Sequence, residues 1–123
     1  MGKLKKILIV EDDAEIRMAL SIRMEVNDFE VITANDGEEG LEKARKEKPD
    51  LILLDLMLPK MTGFEVCRML KFDDNYKNIP IIVLSALDQQ GEREKAIQNG
   101  ADAYFIKPFE LELLIVKIRN LLK

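Results

Sequence analysis

Five short apolar runs alternate with five amphipathic stretches, and this alternation restricts the chain more than any other feature. Leu4 to Val10, Phe29 to Ala34, the run ending at Asp55, Ile79 to Leu84 and Ala103 to Ile106 read as strands. Asp13 to Val26, Asp36 to Lys46, Gly63 to Phe72, Asp88 to Gln98 and Phe109 to Leu122 read as helices. In the first helix Ile16, Leu20 and Met24 recur on one face; in the second, Leu41 and Ala44 point inward. Leu113, Val116 and Leu121 are among the apolar positions of the fifth. Asn99-Gly100 is a helix-stop signal, and Pro80 is tolerated near a strand start. Strands joined by short helical crossovers predict an α/β fold, a doubly wound (βα)5 unit around a five-stranded parallel sheet.

The 123 residues suit one domain spanning 1–123, and no repeat, linker or low-complexity stretch divides them. The final helix runs to within a residue of the end, which suits either a stand-alone domain or one cut from a longer protein. A net charge of -4 argues against nucleic-acid binding by this domain. No segment has the length and apolarity of a membrane span or the pattern of a signal peptide, so a cytoplasmic location is expected. The single cysteine, Cys67, excludes an internal disulfide and is expected to be buried and inert. Met18, Met24, Met57, Met61 and Met69 read as packing residues. Histidine is absent, which removes histidine metal ligands, histidine general bases and Ser-His or Cys-His nucleophiles.

One residue breaks this pattern. Asp55 interrupts the run Leu51-Ile52-Leu53-Leu54-Asp55-Leu56-Met57-Leu58-Pro59, where a strand buried on both faces is expected. An ionised carboxylate there is costly without a compensating cation or donor. In open α/β sheets functional groups gather beyond the carboxyl ends of the strands. Those ends supply Glu11, Asp12 and Asp13, then Asp55, Ser85 and Lys107. Glu11, Asp12 and Asp55 together carry about -3, which Lys107 and a divalent cation balance. Oxygen-only ligands at a wet edge favour Mg²⁺, with Mn²⁺ an acceptable substitute. A nucleophilic carboxylate, a metal with open positions, a hydroxyl and a lysine match phosphoryl transfer.

The motifs Ile7-Leu8-Ile9-Val10-Glu11-Asp12-Asp13, Leu54-Asp55-Leu56-Met57-Leu58-Pro59, Thr62-Gly63, Leu84-Ser85-Ala86 and Gly100 to Phe109 resemble, in order and spacing, the response-regulator receiver domains of two-component signalling. The resemblance covers essentially the whole chain and implies a flavodoxin-like receiver fold. It implies that Asp55 is the phosphoacceptor, taking a phosphoryl group from the phosphohistidine of a histidine kinase or of a phosphotransfer protein in a phosphorelay. The missing histidine would then be the partner's. Asp12 would ligate Mg²⁺ directly, Glu11 through water, and the main-chain carbonyl of Met57 would be a further ligand. Ser85 would be the switch hydroxyl and Lys107 would contact the phosphoryl group from the other side. Tyr104 would be the switch aromatic, turning inward as Ser85 moves. Lys107-Pro108 would be cis. The surface of the fourth helix, fifth strand and fifth helix would then change its affinity for a downstream protein or output domain. Such a domain would promote its own phosphorylation without being an enzyme in the ordinary sense. It would be a monomer or a phosphorylation-dependent dimer.

Other readings fit less well. Alone, Ser85 is a loop hydroxyl, Lys107 a surface lysine, Tyr104 a core or edge aromatic, and Asp13 a helix cap. An aspartyl-phosphate phosphohydrolase of the haloacid dehalogenase type needs a second Asp two residues after the nucleophile, where this chain has Met57. A flavin or dinucleotide binder needs a phosphate loop or G-x-G-x-x-G after the first strand, where Glu-Asp-Asp stands. Receiver domains of winged-helix transcription regulators often carry a second Asp at the position of Ala103, which puts their dimer mode in doubt here. Both a free-standing relay domain and an excised part of a transcription factor or hybrid kinase remain open. The resemblance also implies that the residues two after Asp55 and two after Ser85 tune self-hydrolysis; here they are Met57 and Leu87, both apolar, so slow loss of the phosphoryl group is expected.

Overall fold

Every run expected to be a strand is one, and each expected helix forms between its neighbours. The computed structural model describes residues 3–86 and 90–123. Along the chain these give β1 (Lys6–Val10), α1 (Ala14–Val26), β2 (Glu30–Ala34), α2 (Gly37–Glu47), β3 (Leu51–Asp55), α3 (Gly63–Lys71), β4 (Ile81–Ser85), α4 (Gln90–Gln98), β5 (Ala103–Ile106) and α5 (Leu111–Leu121). The expected start of the fourth helix at Asp88 lies outside the described residues. Asp13 and Asp36 precede their helices as caps: each side chain accepts backbone N–H bonds from the first turn. β4 begins at Ile81, after Pro80, which has no N–H to give to the ladder.

The five strands form one parallel sheet in the order β2-β1-β3-β4-β5. β1, β3 and β4 have a neighbour on both sides, and β3 and β4 are buried at all five positions. This is why their sequences read as unbroken apolar runs. Alternate strand residues feed two cores. Leu8, Val10, Ile52, Leu54, Ile81 and Val83 pack with Leu41 and Ala44 of α2, Val66, Cys67 and Leu70 of α3 and Ala96 of α4. Ile7, Ile9, Leu51, Leu53, Ile82 and Leu84 pack with Leu20 and Met24 of α1 and Leu114, Ile115 and Ile118 of α5. The sheet is therefore doubly wound, as expected.

Several residues expected inside are not. Ile16 is exposed, because the first turn of α1 stands beyond the end of β1. Met18, Met57 and Met69 are also exposed. Met18 lies about 200° around α1 from the buried Leu20, and Met57 sits in the loop after β3. Met24 is in the core under α1 and α5, and Met61 packs against the opposite core under α2 and α3, so the packing role holds for these two. Cys67 is buried, and loss of hydration pushes its thiol up to about 12, which makes it inert. Among the described residues no helix is long and apolar enough to cross a membrane.

Candidate functional site

At the carboxyl edge of the sheet, β1 and β3 are neighbours, with Val10 paired to Leu54. Their next residues, Glu11 and Asp55, emerge side by side, both buried. Asp12 follows and is exposed. Carboxylate oxygens of Glu11, Asp12 and Asp55 lie within 4.8 Å of one another. From β5, Lys107 reaches across: its Nζ lies 2.7 Å from Glu11 Oε1 and 3.8 Å from Asp55 Oδ2. The lysine therefore rests on Glu11 and is only within electrostatic reach of Asp55.

The remaining contacts hold this edge still. Asp13 N–H donates to Glu11 Oε2 at 3.2 Å, and Asp13 itself caps α1. Met57 N–H makes a long 3.4 Å bond to Asp55 Oδ1. Behind Asp55 the main chain of α3 comes very close: a Cβ on Gly63 would lie 2.3 Å from the Asp55 carbonyl oxygen. Only glycine allows that approach. The cap of α3 is a reciprocal box between Thr62 and Glu65, whose signal in the sequence is the Thr-x-x-Glu spacing.

Charge is not balanced here. Burial and the neighbouring Glu11 carboxylate push the Asp55 carboxyl up to about 6, and Lys107 and the Met57 N–H only partly offset them. One ammonium faces three carboxylates. An all-oxygen donor set with surplus negative charge, converging within one ion's reach, fits a hard divalent cation such as Mg²⁺. Glu11, Asp12 and Asp55 are the side chains that could hold it.

Ser85 ends β4 one residue past Leu84, which pairs with Asp55, and is fully buried. Lys107 N–H donates to its carbonyl oxygen at 2.8 Å, so Ser85 and Lys107 are tied through the backbone. Lys107-Pro108 is cis. Tyr104 pairs with Val83 on β4. Its ring is already inside, at 5% exposure, whereas the family resemblance has it turn inward only on switching. Leu87 lies outside the described residues, and Met57 is exposed with its side chain away from the core. One residue near the site carried no sequence signal: Arg17 of α1 donates to the Glu11 carbonyl oxygen at 2.8 Å.

Comparisons with known proteins agree with this geometry. Residues 7–119 match the response regulator receiver domain. The chain is 42% identical over 119 residues to the alkaline phosphatase synthesis transcriptional regulatory protein PhoP of Bacillus subtilis (strain 168), covering 97% of this chain and 49% of that protein. It thus spans about half the length of the curated relatives it matches. Among solved structures, a CheY-like response regulator receiver domain protein from Methanospirillum hungatei JF-1 superposes with a TM-score of 0.90 at 32% identity, over 97% of this chain and 94% of that one. The chemotaxis response regulator CheY4 of Vibrio cholerae superposes with a TM-score of 0.89 at 33% identity, over 96% and 98%. Family match, fold and the acidic edge converge: the chain belongs to the response-regulator receiver family and is a signalling-switch domain of two-component systems.

Proposed function

We propose that Asp55 is the phosphoacceptor of this receiver. The supporting observation is a buried carboxylate at the end of a central strand, with Glu11 and Asp12 oxygens within 4.8 Å and Lys107 at 3.8 Å. In the reaction, an Asp55 oxygen attacks phosphorus in line. The phosphorus–nitrogen bond of the partner's phosphohistidine breaks as the phosphorus–oxygen bond forms, and the imidazole leaves with the electron pair. Glu11, Asp12, Asp55 and the Met57 carbonyl would hold Mg²⁺ or Mn²⁺, which supplies positive charge to the phosphoryl oxygens. Lys107 is placed to exchange its contact with Glu11 for one with the phosphoryl group. Ser85 supplies a hydroxyl from the adjacent strand.

The product adds charge and acceptor oxygens at Asp55, and Ser85 and Lys107 exchange contacts towards those oxygens in that state. These contacts bias the α4–β5–α5 surface towards a downstream partner or output domain. Because the Tyr104 ring is already buried, the bias in this chain comes chiefly from the phosphoryl contacts rather than from a large ring movement. The partner upstream is a histidine kinase or phosphotransfer protein, and the compartment is the cytoplasm. The half-length overlap with transcriptional regulators favours a DNA-binding output domain in the complete protein. Self-dephosphorylation is slow, because the apolar side-chain types of Met57 and Leu87 offer no hydrogen bond to an attacking water.

The test is incubation with acetyl phosphate and Mg²⁺, followed by intact-protein mass spectrometry. The expected result is a gain of one phosphoryl group that is absent in Asp55→Asn and decays over minutes or longer. Uptake by Asp55→Asn at the parental rate defeats the assignment, and decay within seconds defeats the lifetime claim.

A further inference from the structure

The three carboxylates of the acidic edge are not held alike. Glu11 is gripped at both oxygens, by Lys107 Nζ at 2.7 Å and by the Asp13 N–H at 3.2 Å. Asp55 is fixed by burial, the Met57 N–H and Lys107. Asp12 is exposed, and among the described residues no hydrogen bond reaches its carboxylate. Its direction is therefore set by its own main chain. That main chain is pinned from α1: Arg17 Nη1 lies 2.8 Å from the Glu11 carbonyl oxygen and 3.4 Å from that of Asp12. The Arg17 backbone N–H also bonds the Asp13 carbonyl at 2.9 Å. Among the described residues the guanidinium makes no ion pair, although it contacts the main chain of two of the three clustered acids. A cation that binds neutral carbonyls beside an acidic cluster is acting through geometry and not through charge pairing.

We infer that Arg17 is a positioning residue: it clamps the Glu11–Asp12 backbone so that the otherwise unsupported Asp12 carboxylate is aimed at the cation shared with Glu11 and Asp55. The inference rests on the proposed metal-binding role of those carboxylates. It makes a claim opposite in sign to simple electrostatics. Removing a positive charge near a divalent-cation site should tighten metal binding if charge alone mattered. Removing a clamp should weaken it, as loss of groups that orient metal ligands does.

The experiment titrates the purified protein with Mn²⁺, counting free ion by electron paramagnetic resonance, with Mg²⁺ as competitor. Unfolding midpoints are measured in EDTA alongside. Arg17→Met should bind Mn²⁺ roughly tenfold more weakly while its midpoint in EDTA stays close to the parent's. Arg17→Lys keeps the charge but replaces the rigid planar donor with a shorter, freely rotating ammonium, and should fall between the two. If Arg17→Met is too unstable to titrate, Arg17→Gln carries the same test. A parent chain that takes up no Mn²⁺ overturns the cation reading and the role of Arg17 with it. A parent that binds, beside a variant that binds as tightly or more tightly, overturns the role of Arg17 alone.

Discussion

Two lysine–carboxylate contacts sit at opposite ends of the same sheet and do different things. At the amino edge, Lys71 Nζ lies 2.8 Å from Asp102 Oδ2. That oxygen also accepts the Ile81 N–H at 2.8 Å, and the ammonium donates to the carbonyls of Lys77 and Ile79. One charge meets one charge, and the remaining donors are used. At the carboxyl edge, Lys107 is just as close to Glu11, at 2.7 Å, but two more carboxylates crowd in. The first pair is saturated and ties the end of α3 to the starts of β4 and β5. The second is short of positive charge. An ion pair is structural where its partners are balanced, and receptive to cations where they are not.

The largest expected break in this comparison is at Lys107. Lys107→Met should slow phosphoryl uptake from acetyl phosphate on the order of 100-fold, because a preorganised cation facing the phosphoryl group is lost. Its unfolding midpoint in EDTA should fall as well, since buried Glu11 loses its cation, and added Mg²⁺ should recover part of the loss. A stability loss without a rate loss would make the two pairs alike after all.

The matching change at the other edge should cost stability alone. Asp102→Ala leaves the mostly buried Lys71 ammonium without its anion and the Ile81 N–H without an acceptor. A cost of about 2 kcal/mol in denaturant unfolding is expected, with the phosphoryl-uptake rate unchanged. If uptake falls in step with stability, the two edges are coupled rather than separate.

The smallest effect concerns pH. The Asp55 carboxyl titrates near 6 in the fold against 3.8 for the ordinary group, so the folded chain binds more protons in that window. Stability in metal-free buffer should therefore be greatest below pH 4 with respect to this group and be lost as pH rises through 6. Asp55→Asn removes the dependence, so its midpoint should exceed the parent's by a few degrees at pH 7 and converge with it near pH 4. Added Mg²⁺ should narrow the gap at pH 7. A gap that widens on acidification has the wrong sign and excludes the charge-crowding account.

Much of this is legible in the sequence. β3 and β4 announced themselves because burial on both faces leaves no polar position to interrupt the run, and Asp55 stood out for the same reason. Glu11, Asp12 and Lys107 were readable because parallel crossovers bring strand ends to one edge. Other features were not legible, for definite reasons. Met18 and Met69 are apolar by composition, yet Met18 lies opposite the buried stripe of its helix and Met69 beside it. Lys71 and Asp102 are ordinary surface residues in sequence, and only the fold gives them each other. Arg17 acts on carbonyl oxygens, which every residue has, so no spacing rule singles it out. The buried Tyr104 ring depends on packing around β4 and β5, which a motif does not encode.

Asp55 also guards the fold in which it works. Val10 pairs with Leu54, and Asp55 with Leu84, so the carboxylate stands one step beyond the apolar ladder. Side chains alternate along a strand, and a slip of one residue reverses every one of them. A slip drawing β3 inward would drag this charge between the two oily layers, with neither Lys107 nor a cation in reach. Such misaligned sheets are penalised more heavily than a strand of leucines alone could manage. The group that receives the signal thus also proofreads the alignment of the strand that carries it.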